Sequence, residues 1–146
     1  MKRRDFIANT VGGYLALQIP LGAFGGIRQV NKTVKIGLIT DLHQDIIHNA
    51  KDRLQAFITE MKQVKPDAIA QLGDFAYPGE KNKEVIDLFN TAHSSRLHVI
   101  GNHDTDAGFT KEQCIQNWGM PARYYAQELG GITFIVLDAN DKGSPS

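Results

Sequence analysis

Residues 97–104 read Leu-His-Val-Ile-Gly-Asn-His-Asp, an apolar run that stops at a glycine and is followed at once by an amide, an imidazole and a carboxylate. Leu97–Ile100 is short, rich in aliphatic residues and closed by Gly101, which predicts a buried strand. The same pattern occurs twice upstream. Val34–Thr40 (VKIGLIT) predicts a strand that runs into Asp41-Leu42-His43, and Ala68–Leu72 (AIAQL) predicts one that runs into Gly73-Asp74. In Ala50–Val64, Leu54, Phe57, Ile58 and Met61 recur at three- and four-residue spacing, placing an apolar stripe on a helix that Pro66 stops. Val85, Ile86, Leu88 and Phe89 mark a second helix before the third strand. The resulting βαβαβ order makes the fold class α/β, because crossovers of this kind force the strands to run parallel. Their carboxyl ends then share one edge, where open α/β sheets bind ligands.

Downstream, Thr110 and Gln113 form a capping box that opens a helix to Trp118. Tyr124–Gln127, Gly130-Gly131 and Ile132–Leu137 predict an antiparallel hairpin, with the glycines supplying the positive φ of a tight turn. Upstream, Met1-Lys2-Arg3-Arg4-Asp5-Phe6-Ile7 sets a twin arginine ahead of a mildly apolar stretch from Ala8 to Ala23, which resembles a twin-arginine export leader. Asn9, Thr10, Gly12, Gly13, Gln18 and Pro20 interrupt it, so it falls short of the roughly 20 predominantly apolar residues of a spanning helix. The expectation is a removable leader over residues 1–30, read by the twin-arginine export machinery, and a domain over residues 31–146 that works in the periplasm or cell envelope.

The 146 residues suffice for one domain. Sixteen Lys and Arg balance sixteen Asp and Glu, so no basic surplus exists to hold a nucleic-acid backbone, and no nucleic-acid partner is expected. A single cysteine, Cys114, excludes an intrachain disulfide and a thiolate cage for zinc. Any metal must be held by oxygen and imidazole.

Taken singly, an Asp at a strand end caps, a Gly-Asp pair turns and a loop His is solvated. Jointly, three strands deliver Asp, Asn or His to one edge, and no need of helix amphipathicity or core packing accounts for that. D-x-H, then G-D, then G-N-H-D, in this order from Val34 to about Asn140, resembles the calcineurin-like metallophosphoesterase superfamily, with Gly101-Asn102-His103-Asp104 as the most specific element. The resemblance implies a β-sandwich flanked by helices, of which this parallel sheet is one half. It implies two divalent or trivalent ions, Mn, Fe or Zn, with Asp41 and His43 on one, Asn102 on the other and Asp74 bridging them. It further implies hydrolysis of phosphate mono- or diesters of a small phosphorylated substrate, by attack of a hydroxide that bridges the metals. His103 would stabilise the developing charge or protonate the leaving alkoxide, and Asp104 would hold the His103 ring in its working orientation.

The superfamily completes its site with a later His and a G-H-x-H. The five histidines here are His43, His48, His93, His98 and His103, with none beyond 103. The expectation is therefore the N-terminal half of a longer enzyme, with the second half of the sandwich missing from these residues. The alternative is a non-catalytic exported fragment, or a metal- or phosphate-binding module that lacks the C-terminal ligands. Tyr77 stands where many relatives carry a carboxylate, which resembles the iron-ligating tyrosine of purple acid phosphatases; those have glycine in place of His43, so packing is expected of Tyr77. Asp45 and His48 are expected on a solvated loop, and His98, between Leu97 and Val99, is expected to face a neighbouring layer. Cys114 is expected to be inert packing, and Trp118, Tyr124 and Tyr125 are expected to pack beneath the loops.

Overall fold

Three short strands, β1 (Ile36–Ile39), β2 (Ala68–Gln71) and β3 (Arg96–His98), pair in parallel in the order β1-β2-β3. The computed structural model describes residues 33–138 and residue 140. The leader expected over residues 1–30 lies outside the described residues, as does its boundary. All four residues of the central strand are buried, so the pleat sorts them between two apolar layers. Ile69 and Gln71 face the helices; Ala68 and Ala70 face a two-stranded hairpin.

The helices are α1 (Ala50–Val64), α2 (Lys83–Ala92), which follows a 3-10 turn at Glu80–Asn82, and α3 (Lys111–Trp118). Leu54, Ile58, Val85, Ile86, Phe89 and Trp118 bury their stripes against Ile69, Phe75 and Ile100. The α3 capping box is present: the Gln113 backbone N–H donates to the Thr110 hydroxyl, and the Thr110 N–H to the Gln113 side chain. The hairpin pairs β4 (Tyr125–Leu129) with β5 (Ile132–Val136), packing Leu129 and Val136 on Ala68, Ala70 and Leu97. It covers only part of that face. Leu38, Leu72, Ile135 and Leu137 stay exposed along an apolar groove of about 290 Å³.

The third strand stops at His98 rather than Ile100, although one further bond to β2 runs from the Val99 N–H to the Gln71 carbonyl. The Tyr125 hydroxyl donates to the His98 carbonyl and accepts from the His98 N–H, while Asn140 Nδ2 donates to the Ile100 carbonyl. Side chains thus terminate the outer edge of β3 where a further strand would otherwise pair.

Candidate metal centre

Backbone pairing between the first two strands continues past their ends into the loops. Leu72 N–H donates to Ile39, Asp41 N–H to Gly73, His43 N–H to Asp74 and Gln44 N–H to Phe75. The first two candidate loops are therefore zipped together. Asp41, His43 and Asp74 have φ of 52°, 49° and 52°, the left-handed region, which costs a residue other than glycine roughly 1–2 kcal/mol. Strain of that kind clusters at functional sites, which makes these three neighbouring polar residues candidates.

One ligand atom from each of Asp41, His43 and Asp74 lies within 4.8 Å of the others. His43 Nε2 is 3.7 Å from Asp41 Oδ1 and 3.7 Å from Asp74 Oδ2, too far for hydrogen bonds. The other oxygens are occupied: Thr40 Oγ1 donates to Asp41 Oδ2 and the His103 backbone N–H to Asp74 Oδ1. Ligands about 2.1 Å from one tetrahedral ion lie roughly 3.4 Å apart, so one imidazole and two carboxylates at this spacing fit a borderline cation. Asn102 is exposed and lines, with Asp41, Asp74 and Asn140, a cleft of about 300 Å³. The His103 ring stands 5.3 Å from that of His43, edge to face. A niche of about 10 Å³, room for roughly one water, lies among His43, Asp74, Tyr77 and His103.

Two glycines let the second and third loops meet backbone to backbone. A Cβ on Gly73, whose φ is +103°, would lie 2.8 Å from Gly101 Cα and N, and one on Gly101 would overlap Asp74. Asp104, 1% exposed, locks this contact. Its Oδ2 accepts from the N–H groups of Gly101 and Asp74, and its Oδ1 from those of Phe75 and Ala76, at 2.7 to 3.2 Å. Burial pushes its carboxyl up to about 6, against these N–H groups, which favour the ionised form. The ring of His103 is held elsewhere: its Nδ1 is 2.8 Å from Asp106 Oδ2, a bond that chiefly raises the imidazole pKa. The residue expected to orient His103 thus staples two loops, and the ring's partner is an acid two positions later.

Asp45 also differs from expectation. It is not solvated: its side chain is 10% exposed and accepts from Tyr77 N–H and Asn82 Nδ2, clamping the first loop to the second. His48 is exposed. Tyr77 packs its ring against Phe109 at 5.8 Å, and desolvation leads the rise in its phenol pKa. His98 faces the helix layer, stacked on Trp118 with Nε2 at 2.8 Å from Asn90 Oδ1; burial takes its pKa down to about 3. Cys114 is buried with its sulfur against the Asp104 carbonyl, and burial pushes the thiol up to about 12. Trp118 supports Phe75 of the second loop edge to face, and Tyr125 ties β3. Tyr124 does not pack beneath the loops; it is exposed under the Arg123 guanidinium. Sequence reasoning also missed Asn140 as a tie to Ile100 and Asp138 as the shared acceptor of Lys111 and Arg123. Their one signal was position, just after the last strand.

The profile of the calcineurin-like phosphoesterase family matches residues 34–143, and the chain belongs to that family. Among solved structures its fold is similar to that of a dimetal phosphatase from Danio rerio, at 19% identity and a TM-score of 0.53, over 74% of this chain and 45% of that one. The chain thus spans less than half the length of that protein. A comparison with curated proteins finds no match.

Proposed function

We propose that the chain carries the first three ligand loops of a phosphoesterase that hydrolyses phosphate mono- or diesters of a small substrate. Asp41, His43, Asp74 and Asn102 are its ligands to two cations from among Mn, Fe and Zn. The reading rests on one observation: Asp41, His43 and Asp74 converge within 4.8 Å from two strained loops at the carboxyl edge of the sheet. Bound there, two cations would supply Lewis acidity toward phosphoryl oxygens and lower the pKa of coordinated water. Asp74 belongs to both loop contacts, through His43 and through the His103 N–H, which suits it to bridge. His103 lines the same niche and carries an imidazole able to hand a proton to a departing alkoxide. Further ligands come, in this reading, from outside residues 34–143.

A second reading has its own observation. Asp41, His43 and Asp74 already converge within 4.8 Å without any other element, which suits a metal- or phosphate-binding module. Metal content and hydrolysis of p-nitrophenyl phosphate and bis-p-nitrophenyl phosphate, measured with added Mn, Fe or Zn, separate the two. Turnover lost in His103→Ala with metal content kept supports the enzyme; unchanged turnover in that variant overturns the role of His103. Retention of two metals by Asp74→Asn overturns the bridge, and metal uptake with no turnover in the wild type favours the module. Export through the twin-arginine route to the periplasm or cell envelope is part of the proposal. Replacing Arg3 and Arg4 by Lys should strand the protein in the cytoplasm, and unchanged fractionation would exclude that route.

A further inference from the structure

We propose that Asp106 is the positioning residue of His103, fixing its ring in one rotamer and in the Nδ1–H tautomer. Asp104 has no capacity left for this task, since both its oxygens are committed to four backbone N–H groups in the interior. Asp106 reaches the ring because the chain from His103 makes a 3-10 turn, which sets side chains three residues apart one above the other, and leaves that turn at Asp106. Asp106 is extended in ψ at 168°, Ala107 and Gly108 take φ of 59° and 86°, and the Phe109 N–H returns to the Asp106 carbonyl. The turn thus sets the carboxylate three residues on over the imidazole, with Oδ2 at 2.8 Å from Nδ1.

The tautomer follows from donor chemistry. A carboxylate only accepts, so in the neutral ring Nδ1 carries the proton and Nε2 keeps the lone pair. The ring is 46% exposed and has no second hydrogen bond among the described residues; its other neighbour is the His43 ring, edge to face at 5.3 Å, which does not choose between the tautomers. Its backbone is already fixed by the N–H donated to Asp74, so freeing the ring leaves the loop in place. The consequence for turnover rests on the phosphoesterase reading above, whereas the tautomer does not.

The test uses the full 146-residue chain, labelled with ¹⁵N-histidine and supplied with Zn(II). Long-range ¹H–¹⁵N correlations are recorded at about pH 8.5, above the ordinary imidazole range, and His103→Gln identifies the His103 signals. In the wild type the His103 ring should be mainly Nδ1–H. Asp106→Ala should lower the Nδ1–H to Nε2–H ratio about three- to tenfold, as loss of one half-exposed charged acceptor implies. Asp106→Asn, which keeps an acceptor oxygen without the charge, should restore most of it. With turnover measured, Asp106→Ala should lower kcat about tenfold and leave KM and metal content unchanged. A wild-type ring in the Nε2–H form, or an unchanged ratio in Asp106→Ala, overturns the proposal. Absence of turnover in the wild type counts against the phosphoesterase reading alone, because the tautomer ratio still decides the role of Asp106.

Discussion

Replacing Gly101 by alanine puts one methyl group at the point where the second and third loops touch. Gly101 does not have a left-handed φ, so backbone strain contributes nothing and the whole effect is contact. The new Cβ would overlap Asp74 Oδ1 and N and lie 2.9 Å from Asp74 Cγ. Carbon atoms meet at about 3.5 Å, so the carboxyl carbon must retreat by about 0.6 Å and the nearer atoms by more. Flexible side chains elsewhere would absorb such a shift; here the obstruction includes backbone. The same movement pulls apart the Gly101 and Asp74 N–H groups that share Asp104 Oδ2 at 2.7 and 2.9 Å. Overpacking costs about 1–3 kcal/mol and weakening bonds to a charged acceptor adds a comparable amount, about 3 kcal/mol in all. Because Asp74 moves with its loop, metal affinity should fall about 10- to 100-fold, the usual effect of disturbing the groups that hold a ligand. Calorimetric titration with Mn or Zn, paired with urea unfolding, reads both effects. Gly119→Ala is the control, since its φ of +71° strains an alanine but its Cβ meets nothing within 4 Å. It should lose about 1 kcal/mol of stability and keep wild-type metal affinity. Wild-type affinity in Gly101→Ala would refute the claim that the glycine contact places Asp74.

Asp104→Asn should destabilise by about 2–4 kcal/mol and weaken metal binding, because an amide turns donors toward N–H groups that need an acceptor; urea unfolding no different from wild type would exclude the staple. His98 is buried neutral, so the unfolded chain takes up a proton below about pH 6.5 that the folded chain refuses until about 3. Stability contributed by the neutral ring is complete above 6.5 and drains as pH falls, by about 2 kcal/mol between pH 7 and pH 5. His98→Gln should flatten that slope in urea titrations across the window, and equal slopes in the two proteins would count against burial as the cause. Thr110→Ala removes the capping box of α3 and should cost about 1 kcal/mol by urea unfolding, with metal affinity unchanged.

What was legible in the sequence is what depends on local periodicity and on chain direction. The bounds of α1, the capping box of α3 and the parallel order of the strands follow from apolar spacing, a hydroxyl before a glutamine and the length of the crossovers. The convergence of Asp41, His43 and Asp74 follows from the same order, because parallel strands bring their ends together. The duties of Asp45 and Asp104 were not legible, since most of their donors lie about 30 residues away and are backbone N–H groups that every residue but proline carries. Asp106 was missed because its contact with His103 depends on a short 3-10 turn, which apolar spacing does not announce. Tyr124, expected with Tyr125 beneath the loops, is instead exposed, because successive side chains along an extended chain point to opposite faces and Tyr125 takes the inner one.

The ties that hold the candidate ligands and the surface left exposed differ in kind, and they meet at three residues. Asp41, His43 and Asp74 are held by bonds that lie within residues 40–104, so these loops take their shape from contacts already in place. The apolar groove on the hairpin side has no such closure: Leu38 is 59% exposed and Ile135 70%. Leu72, Val99 and Leu137 line both that groove and the cleft that holds Asp41, Asp74 and Asn102. A layer laid over the groove would therefore also wall one side of the cleft. Fully burying a leucine or isoleucine stabilises by about 1.5–3 kcal/mol, and excluding water beside a charged cleft strengthens every interaction inside it. Ligand placement and strength of the electric field are thus separable here: the loops fix where a cation sits, and the cover over Leu72 and Leu137 sets how strongly the site acts on a phosphate ester.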